Sequence, residues 1–565
     1  MNQKTISSGS NGRLARLGTH LLMSLASAGL LSLAQSPIDW GFLAVIALVP
    51  WLIASRRAGA IEAVLLGLVM GTVHGLTTAH WLFAAFEAQG AYGVRSILPA
   101  ILTALWGKGL LFGAIGWVAE RLRHRGPILQ AGLLATLFGL GELWISESRW
   151  GLPLILLGHS QISVPGVAQL AVAVGVPGLS ALLFATNSAL ASLFEKRARS
   201  GSLVAGLLAA WVASAILGIP LAVALRPPAT SEPKTLLVVQ PMISRAQRWD
   251  PAFQNVILDE IASHTSEALG EVVERPDLIL WPENLLTTPF SRNERLRRQL
   301  QDYVDAWNVP LVTGLVRQAE GKESGQYRNS VVWWSPEIGL RDAIDKVRAI
   351  PLVESSRDFV GRRALAYVLG EASQGRRVAE ANEAGPLVGE FTLSPVLCFE
   401  VLFPGIVDQR RDDESVAIVN LADDSWVPGE GVDRQLIAVA SFRAIEQRLT
   451  LVRVTHGGLS VVVDPFGREI ASLPPDQDSH MRVRVSAEAR VSRIERFCLS
   501  ALPLLVGFAT WISGRRLARP GGPFGASRRP PHRVSASRPL CEAARKVLAP
   551  GLPRNTVLPI RQQRP

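Results

Sequence analysis

Acidic residues almost vanish from the C-terminal end of this sequence, cysteine is scarce throughout, and charge is thin everywhere else. The 565 residues hold three cysteines, Cys398, Cys498 and Cys541. They are too few and too irregularly placed for a disulfide framework or a paired-cysteine zinc site, so neither disulfide stapling nor a metal is expected. Charged residues make up 19% of the chain against 48% apolar, a balance that argues against an ordinary soluble protein and for a membrane one. The formal charge of +11 does not indicate a nucleic-acid partner, because the surplus is local. From Arg515 onward twelve Lys and Arg stand against one acid, Glu542, and the rest of the chain is balanced. This tail, rich in Arg and Pro, has the composition of a disordered segment drawn to anionic lipid headgroups.

What is present, first, is a series of apolar runs. A helix needs roughly 20 residues to cross about 30 Å of hydrocarbon, and seven candidates precede residue 226: 17–35, 40–54, 60–86, 97–118, 127–145, 176–194 and 203–225. An eighth covers 497–513, and the stretch 150–169 reads as re-entrant or interfacial. The first run lacks a small-x-small cleavage site, which argues against a signal peptide. Every second loop is basic: Lys4, Arg13 and Arg16; Arg56 and Arg57; Arg121, Arg123 and Arg125; Lys196, Arg197 and Arg199. The positive-inside rule then places the N-terminus in the cytoplasm. An odd number of crossings carries residues 226–496 outside, and the eighth returns the basic tail. The expected organisation is a membrane domain at 1–225, an extracytoplasmic domain at 226–496, a C-terminal span at 497–514 and a cytoplasmic tail at 515–565. His74, His80, Lys108 and Glu142 fall inside the runs, where polar groups face a bundle interior or snorkel from span ends; no catalytic role is assigned to them.

From Lys234 the pattern changes to short β-branched runs at 235–239, 278–280, 309–313, 330–334, 417–420, 451–454 and 460–463, alternating with helical stretches, which reads as an α/β domain. Three segments carry reactive groups. Leu278-Ile279-Leu280-Trp281-Pro282-Glu283 ends an apolar strand on a carboxylate; Asp345-Lys346 opens a polar loop that reaches Glu354; Pro395-Val396-Leu397-Cys398-Phe399-Glu400 ends an apolar run on a thiol. Each has an ordinary explanation alone: a packed cysteine, a solvated lysine, a glutamate at a helix start. Together they supply a nucleophile, a base and a cation. A thiol with a free pKa of about 8.5 needs a carboxylate to take its proton and an ammonium to hold the resulting charge, and the same ammonium can hold the oxyanion of a tetrahedral intermediate.

Glu283, Lys346 and Cys398, in this order and context, resemble the catalytic triad of the nitrilase superfamily. Seven runs before the domain and one after it are similar to one branch, the apolipoprotein N-acyltransferases. Further matches are Val238 to Asp250 with Gln240, Pro241, Ile243 and Trp249; Lys346 and Glu354 eight apart around Pro351; Cys398-Phe399-Glu400; Asp424-Ser425-Trp426; and Phe442-Arg443-Ala444-Ile445-Glu446 with Arg448, Arg453, Gly457 and Ser460. Glu142 to Trp144 and Gly158-His159-Ser160-Gln161 echo the membrane part more loosely.

The resemblance implies a multi-pass α-helical membrane protein carrying an inserted α/β nitrilase-like α-β-β-α sandwich. It implies a bacterial inner-membrane location with the catalytic domain on the periplasmic side. The implied reaction needs no cofactor. Cys398 takes an acyl chain from a phospholipid, phosphatidylethanolamine being the expected donor, and passes it to the N-terminal amine of a diacylglyceryl lipoprotein. Glu283 is the implied base and Lys346 the oxyanion partner; Glu354 and Glu400 orient Lys346 or the thiol, beside Phe399, and Trp249 and Trp426 line the lipid pocket.

Several positions depart from the family pattern. Leu352 and Val353 replace Phe-Gly, Phe399 replaces Tyr, Asp423 and His456 each replace Asn, Leu436 replaces His, and Met242 stands where a polar residue is common. These leave two alternatives open: a divergent membrane amidase or acyltransferase with another amine acceptor, and a non-catalytic paralogue.

Overall fold

A computed structural model describes residues 4–517 except 89–91, 149–150, 198–199, 227, 272–273, 291–292, 319–326, 350–378, 382–383, 426–429, 476 and 492. The basic tail from residue 518 on, the Leu352–Val353 departure, Glu354 and Trp426 therefore lie outside the described residues.

Among those residues six helices are long and apolar enough to cross a membrane: Gly12–Ala34, Ala60–Thr78, Val94–Arg121, Pro127–Glu147, Ala171–Phe194 and Ser200–Ala224. The expected run at 40–54 is not a seventh. It forms a 3-10 turn, Gly41–Val45, and a helix of nine residues, Val49–Arg57, far short of a bilayer at about 1.5 Å per residue. The break is possible because neighbouring side chains take over the freed backbone groups. Asn187 donates to Ala44 O at 2.8 Å and accepts from Leu48 N at 2.8 Å, while Ser27 accepts from Trp51 N at 2.9 Å.

The flanking helices show that this segment still traverses the bundle. His20 lies 2.7 Å from Glu62, and Ser32 lies 2.6 Å from Thr77, so the first and third apolar runs lie parallel and residues 35–59 must return between them. The third run ends its long helix at Thr78 and resumes as Trp81–Ala88. It packs against the fourth closely enough that a Cβ on Gly71 would meet Lys108 O at 2.7 Å.

The stretch after the fifth run is built of buried 3-10 turns, Pro153–Ile155 and Leu157–Ser163. Glu142, fully buried, holds it by accepting Leu157 N at 2.9 Å while pairing with Lys108 at 2.8 Å. Glu142 is thus paired inside the bundle rather than snorkelling. The segment expected as the eighth span lies in the helix Arg493–Leu517, which runs against Ser200–Ala224 with Gly206 and Gly507 at close approach.

The second domain contributes twelve described strands. β1 Lys234–Gln240, β2 Leu278–Leu280, β3 Leu311–Gln318, β4 Tyr327–Ser335 and β5 Gly339–Asp345 join β12 Ser479–Val485 in one sheet, ordered β12-β1-β2-β3-β4-β5. β6 Leu387–Val388, β7 Thr392–Leu397, β8 Ser415–Asp423, β9 Leu451–His456, β10 Ser460–Val463 and β11 Glu469–Leu473 form the other, ordered β11-β10-β9-β8-β7-β6. In each sheet three central strands are parallel (β1-β2-β3 and β7-β8-β9) and the outer pairs antiparallel. Parallel strands are covered on both faces, and these read as continuous apolar runs for that reason.

Leu236, Val238, Leu280, Val419, Val452 and their neighbours fill the space between the sheets. The helices Gln254–Gly270 and Glu294–Trp307 cover the first sheet; Pro404–Arg410 and Glu430–Gln447 cover the second. This is a four-layer α-β-β-α sandwich. The helix layer over the second sheet faces the bundle. Trp81 donates to Gln435 at 3.0 Å, and Gln435 donates to Thr78 O at 2.6 Å and Ser36 O at 3.1 Å. Where the chain enters and leaves the domain, Arg226 pairs with Glu488.

Candidate active site

The end of β7 delivers Cys398. The strand is buried along its whole length, and the chain turns at Cys398 with φ of 49° into the 3-10 turn Cys398–Leu402. A left-handed non-glycine residue costs energy and persists only where its surroundings enforce it. Here Asn420 on the neighbouring β8 donates to Val396 O at 3.0 Å and to Cys398 O at 3.2 Å. Asn420 in turn accepts from Arg453 on β9, which also donates to Asp424 at 2.7 Å. Burial works against the Arg453 charge, but Asp424 and the negative form of Cys398 outweigh it and raise its pKa. Cys398, the expected nucleophile, therefore has a buried guanidinium in its electrostatic field.

Glu283 follows β2 by way of Trp281 and Pro282, and is almost fully buried. The backbone passes so close to β3 that a Cβ on Gly314 would stand 2.7 Å from Glu283 Cα; only glycine fits there. Asn329 on β4 donates its side-chain amide to Glu283 Oε1. Lys346, directly after β5, is fully buried with Nζ 3.4 Å from the same oxygen. Asn329 also accepts Lys346 N at 2.8 Å through its carbonyl, so one residue fixes both partners. Burial pushes the adjacent Asp345 up, but hydrogen bonds from Ser330, Arg317 and Arg328 and the charge of Arg317 more than offset it and hold it below the ordinary carboxylate range.

Glu400 joins the two halves. Its carboxylate accepts Leu397 N at 3.1 Å on the nucleophile side and Val347 N at 2.7 Å and Arg348 N at 3.2 Å on the lysine side. Arg410, fully buried, pairs with it at 3.0 Å and donates to Asp345 O at 3.1 Å. The sequence motif signalled Glu400 but not Arg410, Asn329 or Asn420, which occupy ordinary helix and strand positions and become legible only when the strands are aligned.

The supporting residues are placed less uniformly. Phe399 is buried in the core cluster that contains Cys398. Trp249 ends the helix Arg245–Trp249 and is 40% exposed; its neighbour Arg248 is the buried one. Arg248 binds both oxygens of Asp423 at 2.9 Å. Burial would raise Asp423, and Arg248 more than offsets this, lowering it. His456, across from Asp423 in the β8–β9 register, is pushed down to about 3 by burial and by Arg248. Two departures from the family pattern thus sit together around one cation.

Residues 27–189 match the family described as apolipoprotein N-acyltransferase N-terminal domain, and residues 226–491 match carbon-nitrogen hydrolase. A curated apolipoprotein N-acyltransferase from Brucella melitensis is 28% identical over 475 residues, 80% of this chain and 87% of that protein. One from Rhizobium leguminosarum bv. trifolii is 30% identical over 391 residues, 67% and 71% of the two chains. One from Pseudomonas syringae pv. tomato is 25% identical over 466 residues, 80% and 88%. Among solved structures, an amidase from Nesterenkonia sp. aligns over 45% of this chain and 90% of its own, at 18% identity and a TM-score of 0.33.

Proposed function

Because this chain belongs to the apolipoprotein N-acyltransferase family, we propose that it moves a fatty acyl chain from a phospholipid, through a thioester on Cys398, to the N-terminal α-amine of S-diacylglyceryl-cysteine lipoproteins. The observation that carries this reading is the buried Glu283–Lys346 pair, linked by the Glu400 carboxylate to the strained turn at Cys398.

In the first half-reaction Glu283 takes the thiol proton and the sulfur attacks the ester carbonyl of the donor. Lys346 stabilises the oxyanion, with the backbone N–H that follows Cys398 as second donor. The C–O bond breaks, and Glu283 returns the proton to the departing lysophospholipid oxygen. In the second, Glu283 takes a proton from the incoming amine as its nitrogen attacks the thioester. The C–S bond breaks, and the proton passes back to the thiolate. Two lipids use one site in turn, the ping-pong logic of a covalent intermediate.

Residues 226–496 form the catalytic unit of this proposal, outside the cytoplasm, with both termini inside. The alternation of basic loops supports that side, and the return of residues 35–59 across the bundle keeps the number of crossings before the domain odd. Phosphatidylethanolamine is the proposed donor.

Reconstituting the full chain with phosphatidylethanolamine and a diacylglyceryl-cysteine peptide tests the acceptor. Mass spectrometry should find one acyl chain added at the peptide's α-amine. A peptide left unmodified while a simple amine is acylated would point instead to the divergent acyltransferase.

A further inference from the structure

The residue after Glu283 is left-handed, as Cys398 is. Asn284 has φ of 53°, a conformation that asparagine tolerates better than most residues but that its surroundings must still hold. On one side the Cα of Glu283 lies close over Gly314. On the other, the Asn284 carbonyl accepts Nη1 of Arg248 at 3.1 Å. The direction in which the Glu283 side chain leaves this turn therefore depends on where Arg248 holds that carbonyl.

Arg248 is itself held by the opposite sheet. It is fully buried; Nη1 and Nη2 each donate to an oxygen of Asp423 at 2.9 Å, and Nη2 also reaches Ser425 Oγ at 2.5 Å. Asp423 ends β8. Leu397 pairs with Leu421 in the parallel β7–β8 register, so Asp423 stands two residues further along the strand beside the one that delivers Cys398. The backbone of Arg248 adds a second tie. Its carbonyl accepts from Thr287 Oγ1 at 2.5 Å and from Gln254 Nε2 at 2.7 Å, and Gln254 Oε1 accepts Thr287 N at 2.9 Å. The segment that follows Glu283 is thus fastened at Asn284 and at Thr287 to one residue, and that residue to β8.

Glu283 follows a strand of one sheet and Cys398 a strand of the other, and the two sheets meet through apolar side chains. Such packing leaves their offset looser than a ladder of backbone hydrogen bonds would. A base must come within about 2.6–3.2 Å of the proton it takes, and a displacement of about 1 Å can cost about 10²-fold in rate. A guanidinium suits the task of fixing that offset, because its planar fork binds a carboxylate with two donors and still presents others to a carbonyl. We infer that Arg248 is a positioning residue for the base: through Asp423 and the Asn284 carbonyl it sets Glu283 against Cys398 across the two sheets. The clamp also gives the departure at 423 a purpose, since a carboxylate there accepts from both limbs of the fork and an asparagine has one oxygen to offer. The inference rests on the proposed role of Glu283 as base and adds the residue that aims it.

The test reads the thiol without any lipid. Full-length protein in detergent is treated with iodoacetamide, and alkylation of the Cys398 peptide is followed by mass spectrometry at about pH 7 and about pH 10. Well above the free thiol pKa of about 8.5 the thiolate forms without a base, so an aimed carboxylate matters at the lower pH and not at the higher. Arg248→Lys keeps a charge for Asp423 but loses the planar fork. It should slow alkylation about tenfold or more at pH 7 and less than about twofold at pH 10, and should add no further loss in a Glu283→Gln background. Asp423→Asn should give the same pattern more weakly, and decides the matter if Arg248→Lys does not fold. An equal loss at both pH values, or the same further loss in the Glu283→Gln background, would assign Arg248 to holding the domain together and overturn the inference, as would no loss at either pH. Failure of the base reading itself shows separately, as unchanged alkylation at pH 7 in Glu283→Gln alone.

Discussion

Glu400 and Arg410 form a fully buried ion pair at 3.0 Å, and the same carboxylate accepts backbone N–H groups from both Leu397 and Val347. The pair ties the turn that begins at Cys398 to the backbone that follows Lys346. Removing one partner of a buried pair leaves the other charge unpaired in a low dielectric. Glu400→Ala should therefore cost about 3–5 kcal/mol of domain stability. Thermal unfolding of the purified protein checks this, and an unchanged midpoint would show that the carboxylate does not hold the two loops.

Glu283→Gln keeps a side chain that can still accept from Asn329 and Lys346 but cannot take a proton. Acylation of Cys398 should fall by about 10²–10⁴-fold, the usual worth of a general base, and the protein should unfold at a lower temperature, because one charge of the buried Glu283–Lys346 pair is removed. Single-turnover kinetics with a labelled donor measures the first quantity, and a loss below tenfold would remove Glu283 from the role of base.

Asn420 reaches the nucleophile only through backbone, donating to Cys398 O at 3.2 Å and to Val396 O at 3.0 Å. Asn420→Ala frees these carbonyls and leaves Arg453 without one acceptor, at a cost of about 1–3 kcal/mol. The expected signature is slower thioester formation with an unchanged apparent KM for the donor. A rise in KM alone would mean that Asn420 shapes the lipid pocket instead.

His456 supplies a pH dependence. Folded, it takes a proton only near 3; unfolded, near the ordinary 6.5. Between these values the unfolded chain holds the extra proton, so stability falls as pH drops below 6.5, by up to about 1.4 kcal/mol per pH unit from this residue. His456→Asn, the residue common in the family, should flatten the unfolding midpoint between pH 6.5 and 5. A slope equal to that of the unaltered protein would assign the acid sensitivity elsewhere.

Of the proposed trio, Glu283 and Cys398 were legible because each follows an apolar run, and strand ends are where a parallel sheet presents its chemistry; Lys346 follows the mixed-polarity β5 and stood out only by its spacing to Glu354. The strands buried on both faces, β1, β2, β8 and β9, stood out for the same reason. β5, β11 and β12 did not, since edge strands alternate Arg, Asp, Glu or His with apolar residues and resemble loops in composition. The broken passage at 40–54 looked like an ordinary span because its apolarity is real; what interrupts it are Ser27 and Asn187, distant in sequence. Asp423 and His456 looked like separate irregularities, and only the β8–β9 register and Arg248 make them one cluster.

The central claim is that Cys398 carries the acyl chain. The direct measurement is mass spectrometry of the Cys398 peptide after the full-length protein meets phosphatidylethanolamine with a labelled acyl chain and no acceptor. The account predicts a labelled thioester on Cys398, absent in Cys398→Ala and released by hydroxylamine. A correctly folded protein that forms no thioester with any phospholipid would contradict it.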